Sequence, residues 1–113
     1  MILAREVRKE ATDALDYYDS MLTEGTLSDI TLQAGGQSFP VHKLFLASRS
    51  PVFEAMFRYN VKETAESRVV IEDIDADVIR QMLKFLYTGR VENWDDWVFE
   101  LYVVANKVSY FLL

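Results

Sequence analysis

Four carboxylates fall within six residues, at Glu72, Asp73, Asp75 and Asp77, the densest set of groups in the chain that could move a proton. Hydrolytic acid–base work needs two carboxyls on opposite sides of a substrate, one of them kept protonated in a cleft. These four instead sit just ahead of Val78, Ile79, Met82, Leu83 and Leu86. Their charge therefore meets the positive end of an amphipathic helix, and capping explains them. The chain has one histidine, His42, and no cysteine, so no His/Cys metal set and no thiolate nucleophile can be assembled. The residues read as those of a protein that is not an enzyme and uses no cofactor, metal or small molecule. A net charge of −6 also argues against nucleic acid, which needs clustered Lys and Arg to displace phosphate counterions.

At 113 residues the chain is the size of one domain, large enough to bury roughly two-thirds of the surface its unfolded form exposes. The stretch from Phe39 to Phe57 holds the only histidine, both prolines and four of the seven phenylalanines, a density that speaks of core. Small or apolar residues at Ala4, Val7, Ala11, Ala14, Tyr18 and Met21, widened by Leu15 and Leu22, line one face of a helix that Gly25 stops. Ile30 to Ala34 alternates as a half-buried strand does. Gly35-Gly36 supplies a tight turn, and Gln37 to Val41 returns with Phe39 inward. Ser50-Pro51 starts a helix with Val52, Phe53, Met56 and Phe57 on its apolar face. Val69 to Ile71 reads as a short buried strand, and the helix after Asp77 closes at Gly89. From Trp94 onward the chain is helix-like and apolar nearly all round, which predicts burial. The uninterrupted apolar runs are too short for a membrane span, and the start lacks the order of a signal peptide. The absence of cysteine suits a reducing compartment, and the expected location is the nucleus and/or the cytoplasm.

In this order the elements resemble a BTB/POZ domain, and most closely the branch of speckle-type POZ proteins that carry a MATH domain. The residues that carry the likeness are Ser28-Asp29-Ile30, Phe39-Pro40-Val41-His42-Lys43, Leu46-Ala47-Ser48-Arg49-Ser50-Pro51-Val52-Phe53 and Ala55-Met56-Phe57. Val69-x-Ile71, Phe85-Leu86-Tyr87-Thr88-Gly89 and Ala105-Asn106-Lys107 complete the set. The resemblance implies an α+β fold, a small sheet flanked by a cluster of helices, with residues 1–26 as a dimerisation helix and 27–113 as the core. It also implies a protein-interaction module that pairs with itself or another BTB protein. Many family members bind the N-terminal domain of cullin-3 and act as substrate adaptors of a ubiquitin ligase. A BTB dimer of a transcriptional regulator is the alternative.

Carried over position by position, Asp29 and Lys43 match a charged pair near the family's dimer interface, with a simple intrachain ion pair as the other reading. The dimer helix would present Ala14, Leu15, Tyr18, Met21 and Leu22, with Tyr17 and Tyr18 suited to a rim that is apolar in body and wet at the tip. His42 matches a packing and hydrogen-bonding position. Val61-Lys62-Glu63 matches a hydrophobic-x-Glu motif that orders against cullin, so Val61, Glu63, Met56 and Tyr59 form the expected cullin-facing set.

Relative to the family pattern, Val108 stands where an aromatic is usual, and the chain stops at Leu113 inside an apolar run. The expectation is a domain lacking its last helices, with Trp97, Leu101, Val104 and Phe111 short of cover. Such a chain could act as a truncated, dominant-negative dimer partner.

Overall fold

The computed structural model describes residues 2–59, 67–91, 93, 95–97 and 99–103. Its elements run α1 (Ile2–Glu24), β1 (Ile30–Ala34), β2 (Gln37–Val41), α2 (Lys43–Arg49), α3 (Pro51–Tyr59), β3 (Arg68–Ile71) and α4 (Ala76–Thr88). Helical turns follow at 95–97 and 99–103. None of the described helices is long and apolar enough to cross a membrane.

The alternation in β1 does what period two requires: Ile30, Leu32 and Ala34 are buried while Thr31 and Gln33 are only half-covered. Gly35 and Gly36 take φ of 55° and 76°, the left-handed pair a two-residue hairpin needs. A Cβ on Gly35 would also sit 2.9 Å from the Ala76 nitrogen, so only glycine lets the turn rest on the start of α4. The hairpin sets Leu32 opposite Phe39, and β3 then pairs parallel on the other side of β1, with Leu32 opposite Val69. The strand order is β2-β1-β3.

One face of this sheet is closed by α4, α3 and α2. Leu32, Val41, Leu46, Phe53, Val69, Ile79 and Leu83 are fully buried side chains of that core, each stabilising the fold by about 1.5–3 kcal/mol when taken out of water. Ser50 accepts the Phe53 N–H on its Oγ at 3.2 Å and starts α3. Gly89 ends α4 at φ 73°, its N–H reaching the Phe85 carbonyl at 2.7 Å.

Two expectations change. Asp75 occupies the cap position of α4 but makes no side-chain cap bond. Its main-chain oxygen receives Val78 and Ile79 N–H groups at 3.1 Å each, and Asp77 pairs with Arg80 at 2.6 Å instead. Asp75 thus acts at this helix start through its charge rather than through a cap hydrogen bond. Trp97 and Leu101, expected to lack cover, are half-buried and packed on the core, while Phe99 and Tyr102 of the same turns are exposed. Val104 and Phe111 lie outside the described residues.

The helix α1 divides in two. Its C-terminal half lies along α4 and touches α2, with Leu22 packed on the core and Tyr18 edge-on to Phe45 at 5.1 Å. Every described side chain from Leu3 to Thr12 is exposed.

Candidate interaction surface

Where α1 ends, the chain turns through Gly25, Thr26 and Leu27 to meet the start of α2, and a buried polar joint fixes that meeting point. His42 is 6% exposed. Its Nε2 lies 2.6 Å from the Thr26 carbonyl oxygen, which can only accept, so Nε2 carries the proton. Nδ1 then accepts from the Tyr87 hydroxyl at 2.6 Å, and the same hydroxyl oxygen accepts the His42 main-chain N–H at 2.9 Å. Each polar group in this joint has a partner, which is the condition for burying it without loss. Burial, with a smaller push from the Asp29 charge, raises the Tyr87 phenol from 10.0 to about 12, against the opposing pull of the His42 N–H. Tyr87 stacks on Phe45 at 4.3 Å and 18° between planes, and Tyr18 closes the stack from α1. Loop, α1, α2 and α4 are therefore locked together at one corner.

Asp29 belongs to the same corner. Its Oδ1 accepts the main-chain N–H of Lys43 at 2.8 Å. The two residues expected as a charged pair meet, but through the Lys43 amide at the start of α2 rather than through its ammonium.

On the outside of this rigid corner lies the opposite chemistry. Leu27 is 84% exposed and Leu44 76% exposed. Because Thr26 bonds His42 and Asp29 bonds Lys43, these two leucines flank the same junction. Leu27 also holds φ at 61°, a left-handed conformation that costs a side chain with a Cβ roughly 1–2 kcal/mol. Neither leucine stood out in the sequence, and nothing in an apolar residue's neighbours says that it will face water. Tyr17 is 71% exposed and Tyr18 38%. Ala14, Leu15, Met21 and Leu22, the rest of the expected dimer stripe, are half-buried, partly by the chain's own α2 and α4.

Two residues of the expected cullin-facing set are described, and they differ in cover. Tyr59, in the last turn of α3, is 76% exposed, whereas Met56 is 6% exposed and belongs to the core. Met56 is thereby corrected from a contact to a support: Phe53 and Met56 both point inward from a nine-residue helix, leaving the outer side to Glu54 and Arg58, paired at 2.6 Å. Val61 and Glu63 lie outside the described residues.

Glu72, Asp73 and Asp75 line an open hollow of about 790 Å³ beside the hairpin turn, and among the described residues no three acids or histidines converge as metal ligands.

A small sheet wrapped by helices, with a polar lock inside one corner and apolar side chains outside it, defines a protein-binding module. The chain matches the BTB/POZ domain over residues 18–109 and belongs to that family. BTB/POZ domains are interaction modules that dimerise with BTB proteins. Among solved structures it is similar to the BTB domain of zebrafish PATZ1, at 28% identity and TM-score 0.61, over 74% of this chain and 67% of that one. It also shares its fold with the BTB domain of human gigaxonin, at TM-score 0.68 and 23% identity, over 92% of this chain and 85% of that one.

Proposed function

We propose that this domain dimerises through α1 and serves as an adaptor of a cullin-3 ubiquitin ligase, in the manner of the speckle-type POZ branch it resembles. The adaptor's task is positional: it holds a substrate-bearing partner near the ligase while the transfer chemistry belongs to other subunits. The observation that carries the reading is Tyr59. An aromatic ring left 76% exposed at the end of α3 is separated from Val61-Lys62-Glu63 by Asn60 alone. Tyrosine is among the residues that anchor interfaces, since it offers a large apolar ring and a hydroxyl that tolerates the wet rim. A branched apolar residue and a carboxylate two and four positions on would supply a pocket filler and a charge partner.

The test is titration of the cullin-3 N-terminal domain into the wild-type chain and into Tyr59→Ala and Glu63→Lys. Saturable binding that each substitution weakens by about tenfold or more supports the adaptor role. Absence of binding by the wild type, or binding indifferent to both changes, overturns it.

A further inference from the structure

The hollows of the described surface differ in the charges they hold. One of about 410 Å³, between α1, β2 and α4, mixes Asp19 with Arg80 and Lys84. Two others meet at the segment that leads into α4. The hollow of about 790 Å³ beside the hairpin turn and a smaller one of about 210 Å³ against the helical turn at 99–103 have Asp73, Ile74 and Asp75 as a common wall. Glu72 adds a carboxylate to the larger and Glu100 to the smaller, and among the described residues no lysine, arginine or histidine lines either.

The smaller hollow is apolar between its acids. Val78 is buried at its floor, Ile74 and Val103 are half-buried, and Phe99 stands 71% exposed beside them. A phenylalanine ring has no polar tip to keep wet, so its exposure at a cleft is what a partner's contact would relieve. Apolar walls with carboxylates suit a ligand that has an apolar stem and a cationic head. The volume narrows the class: it falls below the roughly 300–1,000 Å³ of small-molecule pockets and fits one long side chain. A hard metal ion is not that ligand, since it takes about six or more oxygens and no three acids converge among the described residues. Arginine suits the lining better than lysine, because its planar guanidinium stacks on a ring face and forks a carboxylate, whereas an ammonium is compact and strongly hydrated.

We propose that this hollow receives an arginine from a basic segment of a partner protein. The side-chain stem lies along Ile74, Val78 and Val103, and the guanidinium meets the Phe99 ring and the carboxylates of Asp75 and Glu100. The segment continues over Ile74 into the larger hollow, where Glu72 faces a second cation. The chain's net charge of −6 favours the approach of such a segment. This surface goes beyond the adaptor reading and stands without it.

The test uses a defined probe, the peptide acetyl-Gly-Leu-Arg-Leu-Lys-Gly-amide, titrated into the isotope-labelled chain at low ionic strength and followed by NMR. Saturable shifts centred on Asp75, Glu100 and Val103 are expected. The dissociation constant should rise about threefold or more in Phe99→Ala, in Glu100→Gln, and when citrulline replaces the probe's arginine. Phe99 and Glu100 are both exposed, so these changes leave the core intact. Glu10→Gln, which removes an equal charge from the exposed part of α1, should leave the constant unchanged. Failure of the wild type to saturate at roughly millimolar probe overturns the proposal. Indifference to Phe99→Ala overturns it too, as does equal weakening by Glu10→Gln and Glu100→Gln, which would mean attraction to net charge alone.

Discussion

The inside and the outside of the α1–α2 corner exchange their usual contents. Within it, a histidine, a tyrosine hydroxyl and a main-chain carbonyl are buried and mutually satisfied. Outside it, two leucines stand more than three-quarters exposed. Fully partnered polar groups in a dry place act as a lock, since any other arrangement leaves one of them unpaired. Apolar side chains outside a locked corner do nothing to close it, and large ones left in water there are what a protein partner can use. The difference teaches that in this domain stability and recognition have been assigned to opposite faces of one junction.

The comparison breaks hardest at Tyr87. Tyr87→Phe keeps the ring on Phe45 but strands the His42 N–H and Nδ1, and is expected to lower unfolding free energy by about 2–3 kcal/mol in denaturant titration. Next in size is a pH effect. The folded protein holds the phenolic proton up to about pH 12, whereas the unfolded chain releases it near pH 10.0. The lock's contribution is thus complete below pH 10 and drains as pH rises towards 12. At pH 11 the loss should be about 1.4 kcal/mol, read as the difference between the wild type and Tyr87→Phe, which cancels the other groups titrating there. Smallest is Leu44→Ser. A surface change away from any cap or core should leave protomer stability within about ±0.5 kcal/mol, measured by the same titration. A large loss there would mean that Leu44 supports the fold and that the two faces are not divided as described.

Much of the fold was legible because its local signals agree with one another. The alternation in Ile30 to Ala34, the glycine pair after it, Ser50-Pro51 and Gly89 each name an element boundary with a physical cause, and the structure puts elements at those places. Strand β3 starts one residue earlier than its apolar run, at Arg68, because main-chain pairing with Thr31 does not depend on the side chain. The surface was less legible. Sequence brings Asp29 and Lys43 together through the family likeness but cannot say that the carboxylate meets an amide instead of an ammonium. It groups Met56 with Tyr59, two residues on the same side of one helix, and cannot say that the core covers the first and leaves the second in water. It shows Leu3, Leu27 and Leu44 only as apolar residues, and their exposure arises from what the rest of the chain leaves uncovered.

Strand β2 carries a safeguard that such a surface makes valuable. In its antiparallel ladder Val41, Phe39 and Gln37 turn their main-chain groups towards β1, so Ser38 and Pro40 turn theirs to the open edge. Proline has no N–H to offer, and the end of α1 crowds the same place, since a Cβ on Gly25 would lie 3.0 Å from the Pro40 ring. An approaching foreign strand finds one donor where it needs two. Along this edge the molecule can therefore display grease to chosen company without also templating the unregulated stacking of sheets that leads to fibrils.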